Sequence, residues 1–188
     1  MRIHNKSESL YYLEKLRLNH FTEEVFDPKD MFMMNRVREF LEENNQNLYV
    51  LRDPTRCSGK TYFNVSREEV LELVGQYTNK FSVAVSSRAY GKYVLIGDIY
   101  ISRDLDEFWL IASDNPDYNT RMVLRNPKWN INTCYYDKKI GNIPNIDKII
   151  DYIFKKELFD VVVEFAVYLE KIGKYNEYVA IFELRTDY

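Results

Sequence analysis

The sequence predicts an α+β protein, and three observations carry that reading. Two runs rich in Val, Ile, Phe and Tyr close the chain, LFDVVVEFAVY and NEYVAIFELRTDY. Apolar residues recur at helical spacing in three other stretches, and a capping box opens a further helix between two strand-like runs. At 188 residues the chain is long enough for one domain of ordinary size, or for two small lobes sharing a core, without disulfide staples.

The elements follow in order. Leu10, Leu13 and Leu16 lie at helical spacing behind Ser7, a candidate cap, and predict a short helix. The stretch LNHFTEEVFDPKD holds the turn signal Asp27-Pro28 and ends that unit. A second helix is expected from about Lys29 to Asn44, because Met33, Val37, Phe40 and Leu41 fall on one face. The methionines Met31, Met33 and Met34 read as core filler.

Beyond them the pattern changes to strand (LYVLRD), loop (PTRCSGK), strand (TYFNV), helix (SREEVLELVGQY) and strand (FSVAVSS). Ser66 with Glu69 three residues on is the capping-box spacing. YVLIGDIYIS and EFWLIAS read as two strands joined by the polar turn RDLD. A polar, proline-punctuated stretch follows, in which TRMVLRN reads as a short helix, and Asp137 to Asn145 is a loop. Ile146, Ile149, Ile150, Ile153 and Phe154 then trace an amphipathic helix that leads into the terminal runs. Those runs, joined by EKIGKY with a glycine suited to a turn, form a β-hairpin with Glu164 in one strand and Glu183 in the other.

Composition bounds the function. The formal charge of −3 lacks the basic excess of a general nucleic-acid binder and is too small for a polyanion mimic. Cys57 and Cys134 belong to no metal-ligand pattern and are expected as reduced thiols, so a zinc site is not expected. With no apolar leader and no membrane-length apolar run, the sequence predicts a cytosolic protein. His4 and His20 stand apart from every acidic or Cys-bearing stretch, so no Ser-His-Asp or Cys-His site assembles. Arg88, Tyr90, Lys92 and Tyr93 interleave charge with aromatics, but match no known base-stacking signature.

Two stretches remain that can carry chemistry. The loop PTRCSGK ends as a P-loop does, yet Pro54 stands where the first glycine is required, and strand formers rather than a helix follow Lys60. A basic loop between strands can still cover phosphates, and a solvent-exposed hairpin loop is the alternative. The carboxylates Glu164 and Glu183 inside central strands need a cation, a hydrogen-bond network or water. Salt bridges to Arg or Lys are one solution. A Mg²⁺ and phosphate site is the other, since Mg²⁺ takes one or two carboxylates and completes its shell with water and phosphate oxygens.

From Leu48 onward the order of elements resembles the ATP-grasp fold, over about three quarters of the chain. LYVLRDPTRCSGKTYFNVSREEVLELV looks like the small nucleotide-covering lobe, and IDKIIDYIFKKELFDVVVEFAVY with VAIFELRTDY looks like the end of the large lobe. The resemblance implies two small α+β lobes with largely antiparallel sheets. It divides the chain into an N-terminal helical segment (1–47), a small lobe (48–92) and a large lobe (93–188).

It also implies ATP and Mg²⁺ as cofactors. Arg52, Gly59 and Lys60, with Arg185, would contact the nucleotide, and Glu164, Glu183 and Asp187 the metal. Departures are visible: a single glycine in the flap, serines (Ser82, Ser86, Ser87) where the hinge usually carries an acid, and Arg185 where the family has Asn.

If the chain is an enzyme, the family implies an ATP-dependent ligase that activates a carboxylate as an acyl phosphate for attack by an amine or thiol. The alternative is a non-catalytic interaction protein on the same scaffold, such as a phage or mobile-element inhibitor of a host protein. The expected partners are a nucleotide and, on the second reading, a protein; neither nucleic acid nor membrane is expected.

Overall fold

The computed structural model describes residue 3 and residues 6–53, 61–172 and 177–186. Its elements form two compact units, one of Phe21–Gly91 and one of Met1–His20 with Lys92–Tyr188. The first 47 residues, expected as one helical segment, are thus divided between the units, because each part packs its apolar residues into a different core.

In the smaller unit four strands form an antiparallel sheet: β1 (Glu23–Phe26), β2 (Tyr49–Arg52), β3 (Tyr62–Val65) and β4 (Phe81–Val85), in the order β1-β4-β2-β3. Two helices, α2 (Met33–Glu43) and α3 (Arg67–Leu73), contribute Val37, Phe40, Leu41 and Val70 to a core shared with Phe26, Tyr49, Leu51, Phe81 and Val83. α3 starts as the spacing requires: the Ser66 hydroxyl accepts from the Glu69 N–H, and the Glu69 carboxylate accepts from the Ser66 N–H. Of the methionines expected in the core, Met33 and Met34 pack against it, but Met31 is 86% exposed because it precedes the first turn of α2.

Strand β1 was not expected. Glu23 and Glu24 break the run of strand formers, and the pairing to β4 comes from residues about sixty positions later.

The larger unit holds a five-stranded antiparallel sheet in the order β7-β6-β5-β8-β9. Its strands are β5 (Tyr93–Ile101), β6 (Phe108–Ser113), β7 (Trp129–Thr133), β8 (Val162–Ile172) and β9 (Glu177–Arg185). The terminal hairpin is present as expected, although Gly173 of its turn lies outside the described residues. β7 was not expected: its alternation of Asn130 and Asn132 with Trp129 and Ile131 spans only five residues on an edge strand, and asparagine is depleted in strands.

Three helices accompany this sheet: α1 (Lys6–Lys15), α4 (Thr120–Arg125) and α5 (Ile146–Lys156). α1 begins at Lys6, one residue before the serine expected to open it. α5 buries Ile146, Ile149, Ile150 and Ile153 against Ile99, Val163, Phe165, Val167 and Ile181 of the sheet. At Gly97 the sheet leaves no room for a side chain: a Cβ there would meet the Ile111 carbonyl oxygen at 2.1 Å.

The outer edge of β9 is covered by the N-terminal segment. Leu184 N–H donates to the Ser9 hydroxyl, Ile181 N–H to the Asn19 carbonyl, and Ile3 N–H to the Thr186 hydroxyl. Asn19 is buried and its side-chain amide donates to the carbonyls of Ile172 and Val179, bridging the hairpin where its register shifts. Among the described residues no helix is long and apolar enough to cross a membrane.

Candidate functional site

A buried carboxylate needs a counter-charge or hydrogen bonds. The large sheet therefore has an unusual face, because it carries three carboxylates in one row. Asp98 on β5 is the register partner of Glu164 on β8, and Glu164 is the register partner of Glu183 on β9. Alternation places Val163, Phe165 and Ile99 on the opposite face, in the core, so the same pleat that fills the core aligns the acids.

Two cations meet them. Arg185, two residues beyond Glu183, donates through Nη2 to Asp98 Oδ2 at 2.5 Å. Lys6 Nζ, from α1, lies 3.5 Å from Glu183 Oε2. The Glu164 carboxylate, half-buried between the two pairs, makes no hydrogen bond or ion pair among the described residues.

Electrostatics follow from this crowding. Burial, then the neighbouring charge of Glu164, pushes the Asp98 carboxyl up to about 6 against the opposing pull of Arg185. Burial works against the charged Arg185 guanidinium, but Asp98, Glu164 and Glu183 outweigh it and hold its pKa above the usual value. The pairing is incomplete: Asp98 Oδ1 and Arg185 Nε are buried without a hydrogen-bond partner among the described residues.

Of the residues expected at the site, Glu164, Glu183 and Arg185 come together on this face. Gly59, Lys60 and Asp187 lie outside the described residues. Arg52 belongs to the smaller unit, where Glu23 holds it in a two-pronged pair: Arg52 Nε donates to Glu23 Oε1 at 2.9 Å, and Nη2 donates to Oε2. Ser82, one of the hinge serines, donates its hydroxyl to the same Glu23 Oε1 at 2.6 Å.

Asp98, Lys6 and Glu23 were not singled out from the sequence. Asp98 had the one available signal, an acid within an apolar strand run, which is the same signal that marked Glu164 and Glu183.

Among the described residues no group of three or more His, Cys, Asp or Glu side chains is placed to hold a metal ion. Asp98 is committed to Arg185. Glu164 and Glu183 stand opposite each other on adjacent strands, and Glu183 already faces Lys6.

This arrangement of a four-stranded and a five-stranded antiparallel sheet with flanking helices is an ATP-grasp-like fold. Solved structures that match it are ATP-grasp enzymes. A D-cycloserine synthetase matches with a TM-score of 0.52 and 11% identity, over 97% of this chain and 61% of the other. An N5-carboxyaminoimidazole synthase from Aspergillus clavatus, in complex with ADP and 5-aminoimidazole ribonucleotide, matches with a TM-score of 0.52 and 9% identity, over 98% and 44%. D-alanyl-alanine synthetase A from Vibrio cholerae matches with a TM-score of 0.50 and 8% identity, over 97% and 55%. The chain spans about half the length of the solved structures it resembles. No protein-family model matches the sequence, and no curated protein does.

Proposed function

We propose that this chain binds a nucleotide with Mg²⁺ on its ATP-grasp-like scaffold, and that any catalysis is ATP-dependent ligation through an acyl phosphate. The observation that carries the proposal is the pairing of Glu164 with Glu183 across adjacent strands, with the Glu164 carboxylate in no hydrogen bond or ion pair among the described residues. These two glutamates would hold the metal, and Arg185 beside them would face its phosphates. Held by Glu164 and Glu183, Mg²⁺ would supply positive charge against the phosphates of the nucleotide. Arg185 is paired with Asp98, and Glu183 with Lys6.

Calorimetry with ATP and MgCl₂ tests the proposal. Binding by the native chain, weakened about tenfold or more by Glu183→Ala, is the expected result. Absence of binding, or binding unchanged by that substitution, would sink it.

A second reading is favoured by a specific observation. Arg52, Arg185 and Lys6 each already face a carboxylate of the chain itself, Glu23, Asp98 and Glu183. A scaffold whose cations are neutralised internally suits a non-catalytic interaction protein. It predicts an intact fold with no nucleotide affinity and a tight complex with one protein partner.

A further inference from the structure

Arg52, Arg185 and Lys6 each face a carboxylate, but the two arginines of α4 do not. Arg121 and Arg125 are exposed, and neither makes a hydrogen bond or ion pair among the described residues. Four residues apart, they stand one above the other on the helix. The helical turn puts Leu124 to one side of this row and Met122 to the other, with Val123 opposite. Val123 is fully buried, whereas Leu124 is 47% exposed and Met122 43%.

The helix presents these four side chains from a fixed base. The Asn119 side chain caps it by accepting from the Met122 N–H at 3.0 Å, and the Asn126 amide donates to the Tyr118 hydroxyl at 3.1 Å. Val123 anchors the other side where α4 packs on β5 and β6. Charge is equally one-sided. From Tyr118 to Tyr136 there is no Asp or Glu, in a chain whose formal charge is −3. Lys128, the remaining cation of that stretch, is taken by Asp114 at 2.5 Å. Asp117, the nearest acid along the chain, forms no ion pair with either arginine.

We infer that this face of α4 docks an acidic segment of a partner protein, its carboxylates meeting Arg121 and Arg125 and its apolar side chains covering Leu124 and Met122. The inference rests on the interaction reading above, to which it gives a surface, and is independent of the nucleotide reading. Charge complementarity selects the acid, since a guanidinium fork takes a carboxylate with two parallel hydrogen bonds. In open water such a pair contributes at most about 1 kcal/mol, so the flanking apolar residues are needed to exclude solvent from it. Arginine and methionine are also the residue types enriched where protein surfaces meet, with lysine and glutamate depleted. A nucleic-acid backbone would satisfy the two charges but leave Leu124 and Met122 uncovered.

The probe is a displayed library of random dodecapeptides, selected in parallel on the native chain and on the Arg121→Gln/Arg125→Gln double variant, with folds checked by circular dichroism. Peptides enriched on the native chain are expected to be acidic with large apolar residues, and not to be enriched on the double variant. The best of them, labelled and titrated by fluorescence anisotropy, is expected to bind about tenfold more weakly to either single arginine variant and about fivefold more weakly to Leu124→Ser. No enrichment, enrichment without acidic bias, or affinity unchanged by the arginine substitutions would overturn the inference. So would affinity that ignores both Leu124→Ser and Met122→Ser, or equal binding of a thymidine oligonucleotide, because either marks a general polyanion site. A native dimer in sedimentation that the double substitution dissociates would assign the surface to a second copy and likewise overturn it. A tight protein complex that survives the double substitution would overturn this surface while leaving the interaction reading standing.

Discussion

Arg185 reaches over strand β8 to Asp98, joining β9 to β5 with a 2.5 Å charge-assisted hydrogen bond beside Glu164. The strand between them contributes a carboxylate and no cation at this point, so among the described residues named on this face the three acids outnumber the two bases. That imbalance sets the behaviour of the large unit toward protons.

Asp98 is the group that responds. Its folded pKa of about 6 lies above the ordinary carboxylate value of 3.8, so the folded chain binds this proton more tightly than the unfolded chain. Its charge therefore disfavours folding above pH 6, and the penalty is relieved as pH falls through 6 toward 4. The groups facing it are Glu164 on β8 and Glu183 and Arg185 on β9, with Lys6 of α1 on Glu183. Between pH 7 and pH 5 the native chain is expected to gain about 1 kcal/mol relative to Asp98→Asn. Urea unfolding of both proteins at the two pH values checks this, and a constant difference between them would refute it.

Asn19 closes the weak point of the terminal hairpin. Its buried amide satisfies the carbonyls of Ile172 and Val179 and its backbone N–H donates to the Tyr152 hydroxyl. Asn19→Ala strands two buried acceptors, at about 1–3 kcal/mol of stability. Chemical denaturation measures the loss, and hydrogen exchange is expected to localise it to β9.

Gly97 is expected to tolerate no side chain. A Cβ would lie 2.1 Å from the Ile111 carbonyl oxygen and 2.7 Å from the Ala112 Cα, and backbone on a central strand cannot move aside cheaply. Gly97→Ala is expected to cost about 3 kcal/mol or more, read as a fall in melting temperature. The neighbouring residue is Asp98, so the variant should also displace the acid from Arg185.

Glu157 offers the opposite change. It ends α5 with φ 54° and ψ 41°, the left-handed region that favours glycine. Glu157→Gly is expected to stabilise the chain by about 1 kcal/mol, as a rise in melting temperature.

What was legible in the sequence was local. The hairpin of β8 and β9 announced itself through runs of strand formers broken by one glutamate each, α5 through its isoleucines, and α3 through Ser66 and Glu69 three residues apart. Such signals depend only on neighbours along the chain. The counter-charges did not: Asp98 meets Arg185 across 87 positions and Glu23 meets Arg52 across 29. Lys6, in a helix read only for its leucines, meets Glu183 at the other end of the sequence. A lone acid in a strand states that a partner is required without saying where it is. The short strands β1 and β7, each with only two large apolar residues, were missed for the related reason that pairing rather than composition makes them strands.

The cover over β9 has a consequence for how the chain is made. Ile3 is bonded to Thr186, and Asn19 to Ile181, while Phe21–Gly91 is a compact unit inserted between the two halves of the other. The smaller unit is continuous in sequence and can assemble before β5 to β9 are available. The larger one cannot cover the edge of β9 until both its first helix and its last strand are present, so its assembly is governed by long-range contacts.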